Sequence, residues 1–283
     1  MIFLLLLEKY SFASKVILGV FFMALALMIF YYAFKMLEML YVMKNKKPFF
    51  VHFYPRLKKI QPNQHKILKS QFLFYNNLSQ KHQLYFEHRL ASFINDKTFI
   101  GRQGLIISDD VKVLISATAV MLTFGFRDFY IGLIDKIFVY PDAFFSNANQ
   151  EYHKGEFSPK LKALVLSWND FKQGYKIGDD NLNLGIHEFA HAIHFNSIKE
   201  KDVSSTVFKD SFRELISMLS NDELLKKKLI ASKYFREYAF TNQHEFLAVL
   251  IEYFIESPKE FRSQFPEIYK KVKQILNFNF AGY

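Results

Sequence analysis

Histidine, glutamate and a second histidine stand at His187, Glu188 and His191. On an α-helix, four positions bring the two imidazoles to one face, about one turn apart. Rings so placed can bind one Zn²⁺ through nitrogens at about 2.0–2.1 Å. Glu188, next to the first ring, can reach a water on that metal and serve as its general base. The chemistry implied is hydrolysis by an activated water; the alternative is a histidine pair kept for packing. A catalytic zinc also needs a third protein ligand and an open position. His194 shares the His187 face but lies about 10.5 Å further along the helix axis, too far to converge on the same ion. It reads as a pocket-lining group. The metzincin pattern, which needs Gly at 194 and His at 197, is excluded, because His194 and Ser197 stand there.

The third ligand is expected on a later helix. The run from His244 to Phe254 is mostly apolar, and Glu245 and Glu252, seven apart, share one face of it. An acid in such a run is costly unless something pairs with it. Glu245 is then either the third zinc ligand or a solvent-facing acid favoured by the helix dipole in a first turn. Glu252 can accept the ring N–H of a ligand histidine. His244 points about 100° away from Glu245 and cannot share its direction.

These side chains need elements to hold them. Leu182, Ile186, Phe189, Ala190 and Ile193 give a helical apolar pattern around the histidines, with Asp179, Asp180 and Asn181 as capping candidates. That helix is too polar for a membrane, with Asn181, Asn183, Glu188 and three histidines along it. Further helices are expected over residues 71–95, with Ser79 capping the second part, and over 109–124, 210–219, 244–255 and 266–276. Strands are expected over 98–107, 136–140 and 163–168. The last of these could take a substrate backbone as an added strand, or be an ordinary core strand. The fold class expected is helix-dominated α+β, with a small sheet ahead of the metal helix.

Composition narrows the rest. The chain has no Cys, so a metal must be held by His and carboxylates. Of its net charge of +10, nine Lys/Arg against Glu38 fall between Lys35 and Lys69, and little remains after residue 69. A nucleic-acid-binding domain would carry that charge in its folded part; here it adjoins the most hydrophobic segment, which points to a lipid surface. Residues 16–34 form 19 uncharged positions between Lys15 and Lys35, enough to cross about 30 Å of hydrocarbon. The run exceeds a typical signal-peptide core, and no small-residue cleavage site follows it. The basic run on its C-terminal side places that side in the cytoplasm. The organisation expected is a transmembrane anchor (1–43), a basic juxtamembrane linker (44–70) punctuated by Pro48, Pro55 and Pro62, and a metallopeptidase domain (71–283).

Collinear blocks over roughly 78–276 carry a resemblance. They are Lys-Ile-Phe-Val-Tyr-Pro at 136–141, Val-Leu-Ser-Trp at 165–168, Asn-Leu-Gly-Ile-His-Glu-Phe-Ala-His at 183–191, Tyr238, Glu-Phe-Leu-Ala-Val at 245–249, Glu-Tyr-Phe at 252–254 and Phe-Pro at 265–266. In these the chain resembles the Mlc titration factor family, zinc-dependent peptidases also called glucose-regulated metallopeptidases. The resemblance implies a zincin-like fold and a gluzincin-like site: His187, His191 and Glu245 holding one zinc, Glu188 as base, and Tyr238 stabilising the oxyanion. It implies aminopeptidase-type cleavage of peptides. Family members commonly carry Asp where this chain has His194, and the family's known members are soluble, so the anchor is an addition. The expected protein is thus a single-pass inner-membrane zinc metallopeptidase with a cytoplasmic catalytic domain and peptide or protein substrates. The rival is a membrane-tethered binding protein that sequesters a partner such as a transcriptional regulator, its zinc site vestigial or structural.

Overall fold

Ser11 opens the first helix by accepting a hydrogen bond from the Ser14 backbone N–H, and α1 then runs unbroken over Phe12–Asn45. The computed structural model describes residues 11–146, 150–176 and 181–283, the side chains of 175 and 176 excepted. The uncharged stretch expected over 16–34 lies inside α1, which is long and apolar enough to cross a membrane; a signal sequence has the same properties. The last three turns of α1 are different. Glu38 is buried there and ion-paired to Arg127. Val42 packs with Val203 and Val207 at the start of α8 (Val203–Asn221), and Lys46 pairs with Asp210 and Glu214 further along that helix. The contacts advance together along both helices, so α1 and α8 run in the same direction.

The linker expected over 44–70 is in its second half part of the packed structure. Pro62 opens α2 (Pro62–Gln71), where the N–H it lacks would have had no partner. Ile67 and Leu68 of α2 join the core, and Tyr54 and Ile60 pack against it. Arg89, fully buried on α4 (Gln80–Asp96), ties down the preceding stretch: it donates to the Tyr54 hydroxyl and to the carbonyls of Val51, Thr123 and Phe126. Three prolines mark bends in this segment without excluding order. The helix expected from residue 71 appears as a short α3 (Leu73–Asn76) followed by α4, which Ser79 caps.

β1 (Thr98–Gly101) is shorter than the strand expected over 98–107, because Gln103 and Gly104 turn the chain with positive φ of 50° and 81°. α5 (Asp109–Leu122) is buried along its length. After it come β2 (Lys136–Tyr140), a hairpin of β3 (Phe144–Ser146) and β4 (Glu151–His153), then β5 (Gly155–Ser158) and β6 (Ala163–Ser167). The main sheet has the order β1-β2-β6-β5. The first three strands are parallel, and β5 is antiparallel to β6, with Gly155 opposite Leu166. β6, offered above as a strand for substrate pairing, has partners on both sides. The edge strands are β1 and β5; β5, the one that packs on the histidine helix, is a half-buried segment with no alternating apolar pattern to announce it.

α6 (Trp168–Lys176) leads to α7 (Leu184–Lys199), the helix of the two histidines. Its cap is Asn183, whose side-chain oxygen accepts from the Ile186 N–H. Asp179 and Asp180 lie outside the described residues; Asn181 precedes the cap with φ 57°, and Leu182 is exposed rather than part of the helix face. Gly185 lets α7 close on α6, since a Cβ there would sit 2.4 Å from the Phe171 ring. α7 packs against β5 and β6, α5, α8 and α10 (Gln243–Glu256). The remaining elements are α9 (Glu223–Ala231), a 3₁₀ turn (Glu237–Phe240), α11 (Pro258–Gln264) and α12 (Pro266–Ile275). Helix thus dominates, with one small sheet beside the histidine helix.

Candidate metal centre and active site

His187 and His191 sit one turn apart on α7 with their Nε2 atoms 3.0 Å apart. Opposite them is the first turn of α10, which Asn242 caps by accepting from the backbone N–H groups of His244 and Glu245. That cap fixes Glu245 at the mouth of the helix. Its Oε2 lies 3.0 Å from His187 Nε2 and 3.4 Å from His191 Nε2. The oxygen is buried, yet no donor is aligned with it. Three atoms able to act as metal ligands therefore converge on one point. Their mutual distances, all within 4.8 Å, suit one metal ion. Burial works against the Glu245 charge, but the two imidazoles beside it hold the carboxyl well below its usual range.

The second nitrogen of His187 is spoken for. Its Nδ1–H donates to Glu252 Oε1 at 2.7 Å, which turns Nε2 towards the cluster. Glu252, on the same face of α10, is 1% exposed and would be costly there alone. It also accepts two bonds from Arg236, at 2.6 and 3.2 Å, and one from the Asn183 N–H at 3.0 Å. Arg236 donates in addition to the Asn181 carbonyl. One carboxylate thus joins the ring orientation of His187, the start of α7 and the loop before Tyr238. Burial lowers the His187 pKa, but Glu245 and Glu252 outweigh it and leave the metal-free ring raised to about 9.

Glu188 points to the other side, under β5. It is buried, and a Cβ on Gly155 would fall 2.7 Å from both its Cγ and its Oε1. Only glycine lets the strand pass this close. Burial raises the Glu188 carboxyl more than His187 and His191 lower it. Tyr238 is half-exposed on the 3₁₀ turn, its ring 6.0 Å from that of His187. Burial and the neighbouring Glu245 push its phenol up to about 12, so it remains a hydrogen-bond donor at neutral pH. A cleft of about 290 Å³ opens here, bordered by His187, Tyr238, Arg236, Leu184, Lys154 and Asp170.

His194 and His244 face each other instead, Nδ1 to Nδ1 at 3.2 Å, against the rings of Phe195 and Phe212. They lie outside the three-ligand cluster. Arg236 and Gly155 went unnoticed in the sequence. An arginine in a loop and a glycine at a strand start carry no spacing signal, and only the fold brings them to the site.

A model of the glucose-regulated metallo-peptidase M90 family matches residues 53–277. The chain belongs to that family. The matched region contains the whole cluster, Glu188 and Tyr238, and leaves α1 outside it. Among individual relatives, an uncharacterized protein of Synechocystis sp. is 24% identical over 237 residues, 76% of this chain and 83% of its own length. Mlc titration factor A of Yersinia pestis is 22% identical over 200 residues, 64% of this chain and 72% of its own length. Mlc titration factor A of Yersinia pseudotuberculosis matches to the same extent. Membership in M90 thus agrees with the resemblance read from the motif blocks.

Proposed function

We propose that this M90 chain is a zinc-dependent peptidase with a zincin-like catalytic domain, held at the cytoplasmic face of a membrane by α1. The observation that carries the reading is the convergence of His187 Nε2, His191 Nε2 and the buried Glu245 Oε2 on one point. Two imidazoles and one carboxylate are the ligand set of hydrolytic zinc, and they leave a position open. When bound, zinc polarises a peptide carbonyl and acidifies water towards a pKa of about 7. Glu188 takes the proton of the attacking water and delivers it to the leaving amine, a role its raised carboxyl suits. Tyr238 donates its O–H to the oxygen on which negative charge develops. Glu252 holds His187 in the tautomer that keeps Nε2 free. The free edge of β5, directly over Glu188, accepts an extended substrate backbone. We take the folded unit to begin with Val51, whose carbonyl Arg89 holds, rather than at residue 71.

A second reading has its own support: two of the relatives carry the name Mlc titration factor A. In it the domain sequesters a regulatory protein. Hydrolysis of peptide and aminoacyl substrates by the detergent-purified full chain separates the two. Zinc-restored, chelator-sensitive turnover that is lost in Glu188→Gln supports the peptidase. A zinc-loaded protein inert towards a broad peptide library would leave the binding role.

A further inference from the structure

After α1 the chain doubles back. Lys46 ends the helix with a left-handed backbone (φ 52°), and Phe49 then lies against Tyr41, ring centroids 4.3 Å apart. The same ring reaches Phe34 at 6.2 Å. Phe34 is the last residue of the uncharged stretch, so the returning chain regains the level at which a spanning helix would leave hydrocarbon. Phe50 and Phe53 follow, their centroids 6.1 Å apart, and they are 43% and 73% exposed. Lys47, Arg56, Leu57, Lys58 and Lys59, close to them in sequence, are exposed as well. Arg127, paired to Glu38, stacks over Phe50 at 5.3 Å. No acidic residue occurs between Glu38 and Glu87.

We propose that this face, residues 46–59, is a lipid-contacting surface that seats the domain on an anionic bilayer. The proposal rests on α1 being a membrane span. Aromatic side chains with an apolar body belong at the headgroup boundary, and basic residues beside them meet lipid phosphates. A patch with three exposed phenylalanines in five residues and no acid offers a protein partner little to pair with. The seat is rigid, because Glu38 with Arg127, Val42 with Val203 and Val207, and Lys46 with Asp210 and Glu214 fasten the last turns of α1 to the domain.

The natural absence of cysteine allows single labels in the full chain. Bimane is attached at Leu27→Cys, inside the span, at Phe53→Cys, on the proposed face, and at Leu224→Cys, which is 81% exposed just beyond the far end of α8. Each protein is reconstituted in vesicles of phosphatidylglycerol and phosphatidylcholine containing a doxyl-labelled lipid. The expected result is quenching at 27 and at 53, the latter about twofold or more above that at 224, since an interfacial side chain sits 5–10 Å into the acyl boundary. Quenching at 27 with no excess at 53 over 224 overturns the seat and leaves the span standing. Absence of quenching at 27 overturns the span, and the seat with it.

Discussion

Glu188 and Glu252 are two buried carboxylates within one site, and their surroundings assign them opposite work. Glu188 lies under β5 and is raised by burial; Glu252 is surrounded by His187, Arg236 and the Asn183 N–H. Glu188→Gln is expected to keep the metal and the fold while turnover falls by about 10²–10⁴, checked by elemental analysis beside steady-state rates. Glu252→Gln is expected to weaken metal binding by about 10–100-fold, because an amide no longer fixes the His187 tautomer; competition with a chromophoric chelator measures this. The metal-free His187 ring, raised to about 9, carries a proton at pH 7 that a metal must displace. Metal binding at pH 7 should therefore release a proton from that ring, and apparent affinity should climb as pH rises towards about 9. Calorimetry in buffers of different ionisation enthalpy reads this directly; a heat independent of buffer would refute it.

At the level of elements, what could be read from the sequence was what repeats. The apolar periods of α5, α7 and α10, the Ser79 cap and the β2 and β6 runs are all visible as patterns, and so are the two faces on which His187, His191, Glu245 and Glu252 meet. The edge strand β5 was not legible. Gly155–Ser158 is half-buried throughout and owes its place to pairing with β6 and to its passage over Glu188. Nor was the cap of α7, which is Asn183 rather than Asp179, Asp180 or Asn181, since any of these side chains can cap and only tertiary contacts choose. Arg236 shows the same limit: its partners, Glu252 and the Asn181 carbonyl, lie 16 and 55 residues away. Gly155→Ala tests the strand. The added methyl should push Glu188 or β5 aside and lower kcat by about tenfold to a hundredfold with metal content unchanged, as a displaced catalytic group does.

Taken whole, the molecule joins its apolar helix to its site through packed elements. α1 is fastened to α8, and α8 packs on the histidine helix α7. Arg127→Ala should expose the cost of that fastening. It leaves the buried Glu38 carboxylate without its partner, a loss of about 1–3 kcal/mol in thermal unfolding of the detergent-solubilised chain. Adding Glu38→Gln should recover part of it, which a double-mutant cycle would quantify. A domain on a slack tether sweeps a hemisphere; one fastened to its anchor can only spin about the membrane normal. With α1 in a bilayer, the height of the cleft above the lipid becomes a constant of the molecule. A substrate rooted in the same leaflet would then be cut at a set distance from its own exit point, whatever side chains happen to lie there. Cleavage would be measured as a length, and a spacer inserted into such a substrate would shift the cut residue by residue, by about 3.3 Å of extended chain at a time.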